Sequence, residues 1–171
     1  MLVDFPDYPH YASQTAGDVT SKFFANGDAG QAPYESLRNY YQRASYNQLT
    51  IQGNVLGWYR AQYNRSYYDG LGWGYGEETL MMEAMNYFDG RGHDFTQYDN
   101  DGDGTIDSLF LKWTGPDTGW STFWWAYQWS WHSNPSYRID GKQLGRYVWS
   151  WISNPEGGVF QPRVDIHETG H

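Results

Sequence analysis

The last five residues, His167-Glu168-Thr169-Gly170-His171, set two imidazoles four positions apart, with a carboxylate directly after the first. On a helix, positions i and i+4 share one face, so such a pair can point at one ion there. The segment from Val164 onward is therefore expected to be helical, with Val164-Asp165-Ile166 leading into the pair. In this spacing His167 and His171 are candidate ligands of one zinc ion. Glu168 is the candidate general base toward an attacking water. Two histidines fall one short of a catalytic zinc site, which normally has three protein ligands and one open position. Gly170 costs about 1 kcal/mol against Ala inside a helix, and its small size suits the close approach of another segment.

What precedes this helix must supply a core without cross-links. There is no Cys, so disulfides, thiolate ligands and a cysteine nucleophile are excluded. Aromatic residues make up 20% of the chain, ten of them Trp, and such side chains bury much area each. At 171 residues this suits a single domain with a sizeable core. The formal net charge of −9 argues against nucleic acid or an anionic membrane as partner. The most apolar stretch, Trp120 to Trp131, is too short to span a bilayer and is interrupted by Ser, Thr and Gln. Met1 leads at once into Leu2-Val3-Asp4-Phe5, which reads as a strand. The chain is thus expected to be one domain over 1–171, cut at both ends, with any signal segment upstream. By itself it is expected to bind zinc weakly and to cleave little.

Along the chain, the strand at Leu2 to Phe5 is stopped by Pro6. Asp18 is the expected N-cap of a short helix containing Val19, Phe23 and Phe24, ended at Asn26-Gly27. Pro33 suits the first turn of a second helix, with Leu37, Tyr40, Tyr41 and Ala44 at helical spacing. Ser45-Tyr46-Asn47 turns the chain, Leu49 to Trp58 reads as extended with a break at Gly53, and Asn64 to Gly76 reads as a loop. Glu77 to Phe88 carries the clearest helical stripe, through Leu80, Met81, Ala84, Met85 and Phe88. Strands are expected at Ile106 to Trp113, Thr122 to Trp131 and Leu144 to Ile152, with a loop at Pro155 to Gly158. The mixture gives an α/β or α+β class with a twisted mixed sheet.

A second cluster lies in Asp99-Asn100-Asp101-Gly102-Asp103-Gly104-Thr105-Ile106-Asp107. Carboxylates at relative positions 1, 3, 5 and 9 match the front half of a calcium loop. Gly104 supplies the sharp turn, and Thr105 can offer its backbone carbonyl. Like charges this close repel unless a cation relieves them. The twelfth position is Phe110 and not Glu, so an EF-hand is excluded; a structural Ca2+ held by Asp99, Asp101, Asp103, Thr105 and Asp107 is expected, against a solvated acidic turn. The run Phe123-Trp124-Trp125 with Trp129 and Trp131 is expected to be mostly core, though it could line a groove. His10, His93 and His132 have no ligand spacing to one another.

These residues, in this order, resemble the M6 family of zinc metallopeptidases, the immune inhibitor A type. Leu2 to Asp7 resembles its opening strand. Ser36 to Tyr46, Gln48 to Ile51 and Val55 to Tyr59 resemble its helix-then-strand block. Asp99 to Asp107 with Ser108-Leu109-Phe110 resembles its acidic loop and strand, and the ending is H-E-x-G-H. Two departures stand out: Trp113-Thr114-Gly115 where many members carry His-Ala-Gly, and Trp125 to Trp129 where a histidine-bearing segment is common. The resemblance implies a secreted zinc endopeptidase with a zincin-like fold, incomplete at its C-terminus here, calcium-supported and acting on proteins; a monomer is expected. His167 and His171 would be its zinc ligands and Glu168 its base, with a third ligand and the oxyanion-stabilising residue further downstream. The alternatives are a calcium-stabilised aromatic-rich binding module and a catalytically inactive homologue.

Overall fold

A computed structural model of the chain describes residues 1–26, 35–153, 158 and 160–171. Its centre is a five-stranded mixed sheet built from β1 (Leu2–Asp4), β2 (Trp58–Arg60), β3 (Thr105–Trp113), β4 (Tyr127–Ser130) and β5 (Gln143–Trp151). The order across the sheet is β2-β1-β3-β5-β4. β1 runs parallel to both β2 and β3, and β3 runs parallel to β5. β4 lies antiparallel on β5 and forms one edge. The class is α/β, as the alternation of elements implied.

Alternate strand residues point to opposite faces, and two buried clusters divide accordingly. Val3, Leu109, Leu111, Trp113, Tyr147 and Trp149 pack with Leu80, Met81, Ala84, Met85 and Phe88 of α4 (Tyr75–Asp89). Leu2, Phe110 and Ile152 pack on the other face against Val19 and Phe23 of α1 (Ala16–Phe24) and Leu37 of α2 (Leu37–Ala44). The helical stripe of 77–88 therefore forms as its periodicity implied. Glu77 and Glu78 are also fully buried there, because each meets a polar partner.

Several local expectations need correction. Thr15, not Asp18, caps α1: its hydroxyl accepts the Asp18 N–H, and the Asp18 carboxylate accepts the Thr15 hydroxyl in return. Ser36 caps α2 by accepting the Asn39 N–H. Gly27, Pro33 and most of the Pro155 to Gly158 loop lie outside the described residues. Asn64 to Gly76 is not all loop, because α3 (Arg65–Gly70) forms there. Its glycines and tyrosines hid a short helix that buries Arg65 and Tyr68. Residues 49–57 form no ladder, so only Trp58–Arg60 is strand. Of the expected strand from Thr122 to Trp131, only Tyr127–Ser130 pairs. Phe123 and Trp124 leave the ladder to pack among Trp113, Trp149 and Phe5.

Candidate metal centre and acidic loop

The last helix, α5 (Arg163–Thr169), has seven residues and no side-chain cap at its start. A helix this short is unstable alone, so tertiary contacts must hold it. Tyr41 of α2 donates its hydroxyl to the Ile166 carbonyl at 2.6 Å. The Ile166 side chain packs into the α1/α2 cluster. Asp165 meets Lys112 of β3 and Ser150 of β5. Gly170 follows the helix, and a Cβ there would stand 3.2 Å from the Tyr41 hydroxyl. The small residue thus admits the tyrosine, as its size suggested.

His167 and His171 are both exposed, and their Nε2 atoms stand 3.2 Å apart. Two nitrogens at ordinary Zn–N distances on a tetrahedral ion are about 3.3 Å apart. The pair therefore has the spacing of two ligands of one ion, and equally that of a single N–H···N bond. Donor chemistry and spacing both fit zinc. Among the described residues no third His, Cys, Asp or Glu joins them in a ligand group.

Glu168 faces inward and is 7% exposed. Burial pushes its carboxyl above the ordinary value, against the opposing pull of His167, His171 and a backbone amide of Gln128. That last contact places the carboxylate beside β4, the edge strand. β4 is in turn held from the opposite face by the first turn of α4. Glu77 bonds the Tyr127 hydroxyl, while Glu78 accepts the N–H groups of His132, Ser133 and Asn134 at 2.7–2.9 Å.

The acidic loop enters β3 from the other end. Carboxylate oxygens of Asp99, Asp101 and Asp103 lie within 4.8 Å of one another. Backbone turns hold them: Gly104 N–H donates to Asp99, Asp103 N–H to Asp101, and Thr105 N–H to Asp103. Gly102 and Gly104 have φ of 77° and 89°, which few other residues adopt. Asp107 accepts the Asn100 N–H at 3.3 Å. The Lys142 ammonium bonds Asp99 Oδ2 at 2.7 Å and, against the opposing effect of burial, holds that carboxyl below the ordinary range. Asp99 Oδ1 is buried without a partner among the described residues. A buried carboxylate oxygen left over is what a hard cation with oxygen ligands would take up.

The remaining histidines are engaged elsewhere. His10 bonds Asp4 and stacks on Trp58, His93 bonds Tyr98, and His132 bonds the Ser130 carbonyl. In the aromatic run Phe123, Trp124 and Trp131 are core, whereas Trp129 is 56% exposed.

Lys112, Ser150, Tyr41 and Glu78, which hold the helix and the edge strand, belong to no motif. One signal was available. Leu109-Phe110-Leu111-Lys112-Trp113 is an apolar run in which a lysine takes an inward position, and a buried lysine needs a partner.

No family model matches the chain. It is similar to the pre-pro-metalloprotease PrtV of Vibrio cholerae serotype O1, in strain M66-2 and in strain ATCC 39315 / El Tor Inaba N16961. The identity to each is 27% over 106 residues, which covers 50% of this chain. The match covers 12% of the length of these relatives. The chain is thus distantly similar to part of a metalloprotease precursor. No helix among the described residues is long and apolar enough to cross a membrane.

Proposed function

We propose that residues 1–171 are the N-terminal part of a zincin-like peptidase domain of the M6 type, in a secreted, zinc-dependent endopeptidase. The observation that carries this is the convergence to 3.2 Å of Nε2 of His167, on α5, and of His171, two residues past the end of that helix, with Glu168 between them facing the edge strand. The two histidines hold the ion, and a neighbouring stretch of the same protein supplies the third ligand. Zinc, when bound, polarises the scissile carbonyl and acidifies water. Glu168 takes the proton of the attacking water and passes it to the leaving amine. Burial raises its proton affinity above that of an exposed carboxylate, despite the two histidines beside it, and this suits a group that must both accept and release a proton. The edge of β4 beside Glu168 can pair with an extended peptide through its outward backbone groups other than the Gln128 amide, which Glu168 already meets. Protein or peptide substrates fit that edge. Ca2+ held by Asp99, Asp101, Asp103, Thr105 and Asp107 stiffens the entry to β3, and the orphaned Asp99 oxygen supports it. The protein acts as a monomer.

The exposure of Trp73, Tyr75, Trp120 and Trp129, between 54% and 82%, favours one other reading, an aromatic binding module. Zinc analysis of the complete gene product separates the two. Peptidase function requires near-stoichiometric zinc, cleavage of casein that chelators stop, and loss of both in His167→Ala. Casein cleavage that survives removal of all zinc, or no bound zinc at all, would sink the peptidase proposal.

A further inference from the structure

Besides the Tyr41 hydrogen bond, α5 is held by a buried ion pair that the zinc chemistry does not use. Lys112 is 2% exposed, and Asp165 and Ser150 are fully buried. The Lys112 ammonium donates to both Asp165 oxygens, at 2.8 and 2.9 Å, and to the Ser150 hydroxyl at 2.7 Å. Ser150 donates in turn to Asp165 at 2.9 Å. The ammonium also sits 4.9 Å from the Phe160 ring centre. All three donors of the lysine are thereby used on three oxygens, a geometry that tolerates little displacement.

An apolar contact would hold the helix against the sheet but would leave it free to roll, because dispersion and burial have no direction. A charge-assisted fork does have direction. Asp165 and Glu168 are three residues apart on one face, and they are the two buried residues of the helix. Fixing the first against β3 and β5 therefore fixes the second against β4, and it turns His167 and His171 outward together. We infer that Lys112 and Asp165 are positioning residues. Their buried pair sets the rotation of α5 about its axis, and with it the height of Glu168 and the joint aim of the two histidines. The functional consequence rests on the zinc reading above; the geometric claim does not.

The test replaces the pair by apolar residues of similar size, Lys112→Met with Asp165→Leu. Buried pairs exchanged in this way commonly keep or gain stability. The full chain is then compared with wild type by three measurements: melting temperature, residual dipolar couplings of the α5 amides, and Co2+ binding read by its visible absorption. The expected result is a melting temperature close to wild type, α5 couplings that report a changed helix orientation, and a loss of Co2+ affinity of about 10-fold or more, as for other supporting groups around metal ligands. Unchanged couplings together with unchanged Co2+ affinity would overturn the inference. If wild type binds no Co2+, the zinc reading fails by itself, and the couplings alone decide the positioning claim. If the apolar pair does not fold, Asp165→Glu takes its place. It keeps the charges but lengthens the arm by one methylene, and the same two readouts must then move.

Discussion

Two regions of this molecule gather side chains of the kinds that ligate metals, and they are built in opposite ways. In the acidic loop, Asp99, Asp101 and Asp103 are gathered by hydrogen bonds spanning two to five residues and by two glycines at positive φ. The loop makes its own geometry. Lys142, 43 residues away, contributes a single ammonium. In α5 the spacing of the histidines is local, but nearly everything that aims them is distant: Tyr41 at 125 residues, Lys112 at 53, and the amide of Gln128. A turn can assemble a cation site from its own backbone. A seven-residue helix can only present side chains, and the sheet must decide where they point.

The sharpest break of this contrast is stability without any metal. Asp165→Ala leaves the Lys112 ammonium buried without its carboxylate partner, and it should cost about 3–5 kcal/mol in urea unfolding. Asp101→Ala removes an exposed carboxylate from a crowded acidic loop, and it should change stability by no more than about 0.5 kcal/mol. Similar losses at the two sites would mean that the loop, like the helix, is held from outside.

Calcium should sharpen the same contrast at the other end. At a hundredfold excess of Ca2+ over its Kd, binding to the folded loop adds about 2.7 kcal/mol, read as a rise in melting temperature. Asp101→Ala should abolish most of that rise, while Asp165→Ala should leave the increment intact. A melting curve unmoved by millimolar calcium would return the loop to a solvated acidic turn.

A smaller effect comes from the buried carboxylate of Asp4 in β1, which is held by Arg60 and His10. Burial pushes its carboxyl up, but hydrogen bonds from Arg60 and His10 together outweigh that and hold it below the ordinary value. The folded value lies below the unfolded one. The contribution is therefore complete above the ordinary aspartate range, near pH 4, and is lost as pH falls through the folded value. Arg60 is half exposed, so Arg60→Ala should cost only about 1 kcal/mol at neutral pH. It should also flatten the acid limb of the stability profile. An unchanged acid limb in that variant would place the pH dependence elsewhere.

How far the sequence could be read follows the same division. The acidic loop and the histidine pair are short-range patterns: the loop gathers Asp99, Asp101 and Asp103, and the two imidazoles meet although the helix ends at Thr169, two residues before His171. Strands β3 and β5 and helix α4 follow from apolar runs and a clear helical stripe. The errors fall where distant packing overrides local preference. α3 forms because Tyr68 and Arg65 are buried against Phe5, Tyr8, Trp113 and Trp124. The stretch before β4 leaves the ladder because Phe123 and Trp124 are wanted in the core. Periodicity cannot show such demands, since the partners lie far along the chain. For the same reason, the support of α5 by Lys112, Ser150 and Tyr41 was not legible, apart from the odd lysine in an apolar strand.

The most direct measurement of the proposed chemistry is Glu168→Gln in the complete gene product, assayed for bound zinc and for peptide cleavage in one preparation. Gln has nearly the same shape, so the helix and the two histidines should stay as they are, but its amide cannot take a proton from water. The expected result is full zinc content with turnover lowered by at least about 100-fold, in contrast to His167→Ala, which should lose zinc and turnover together. Near wild-type cleavage by the zinc-bound Glu168→Gln protein would contradict the assignment of Glu168 as the base.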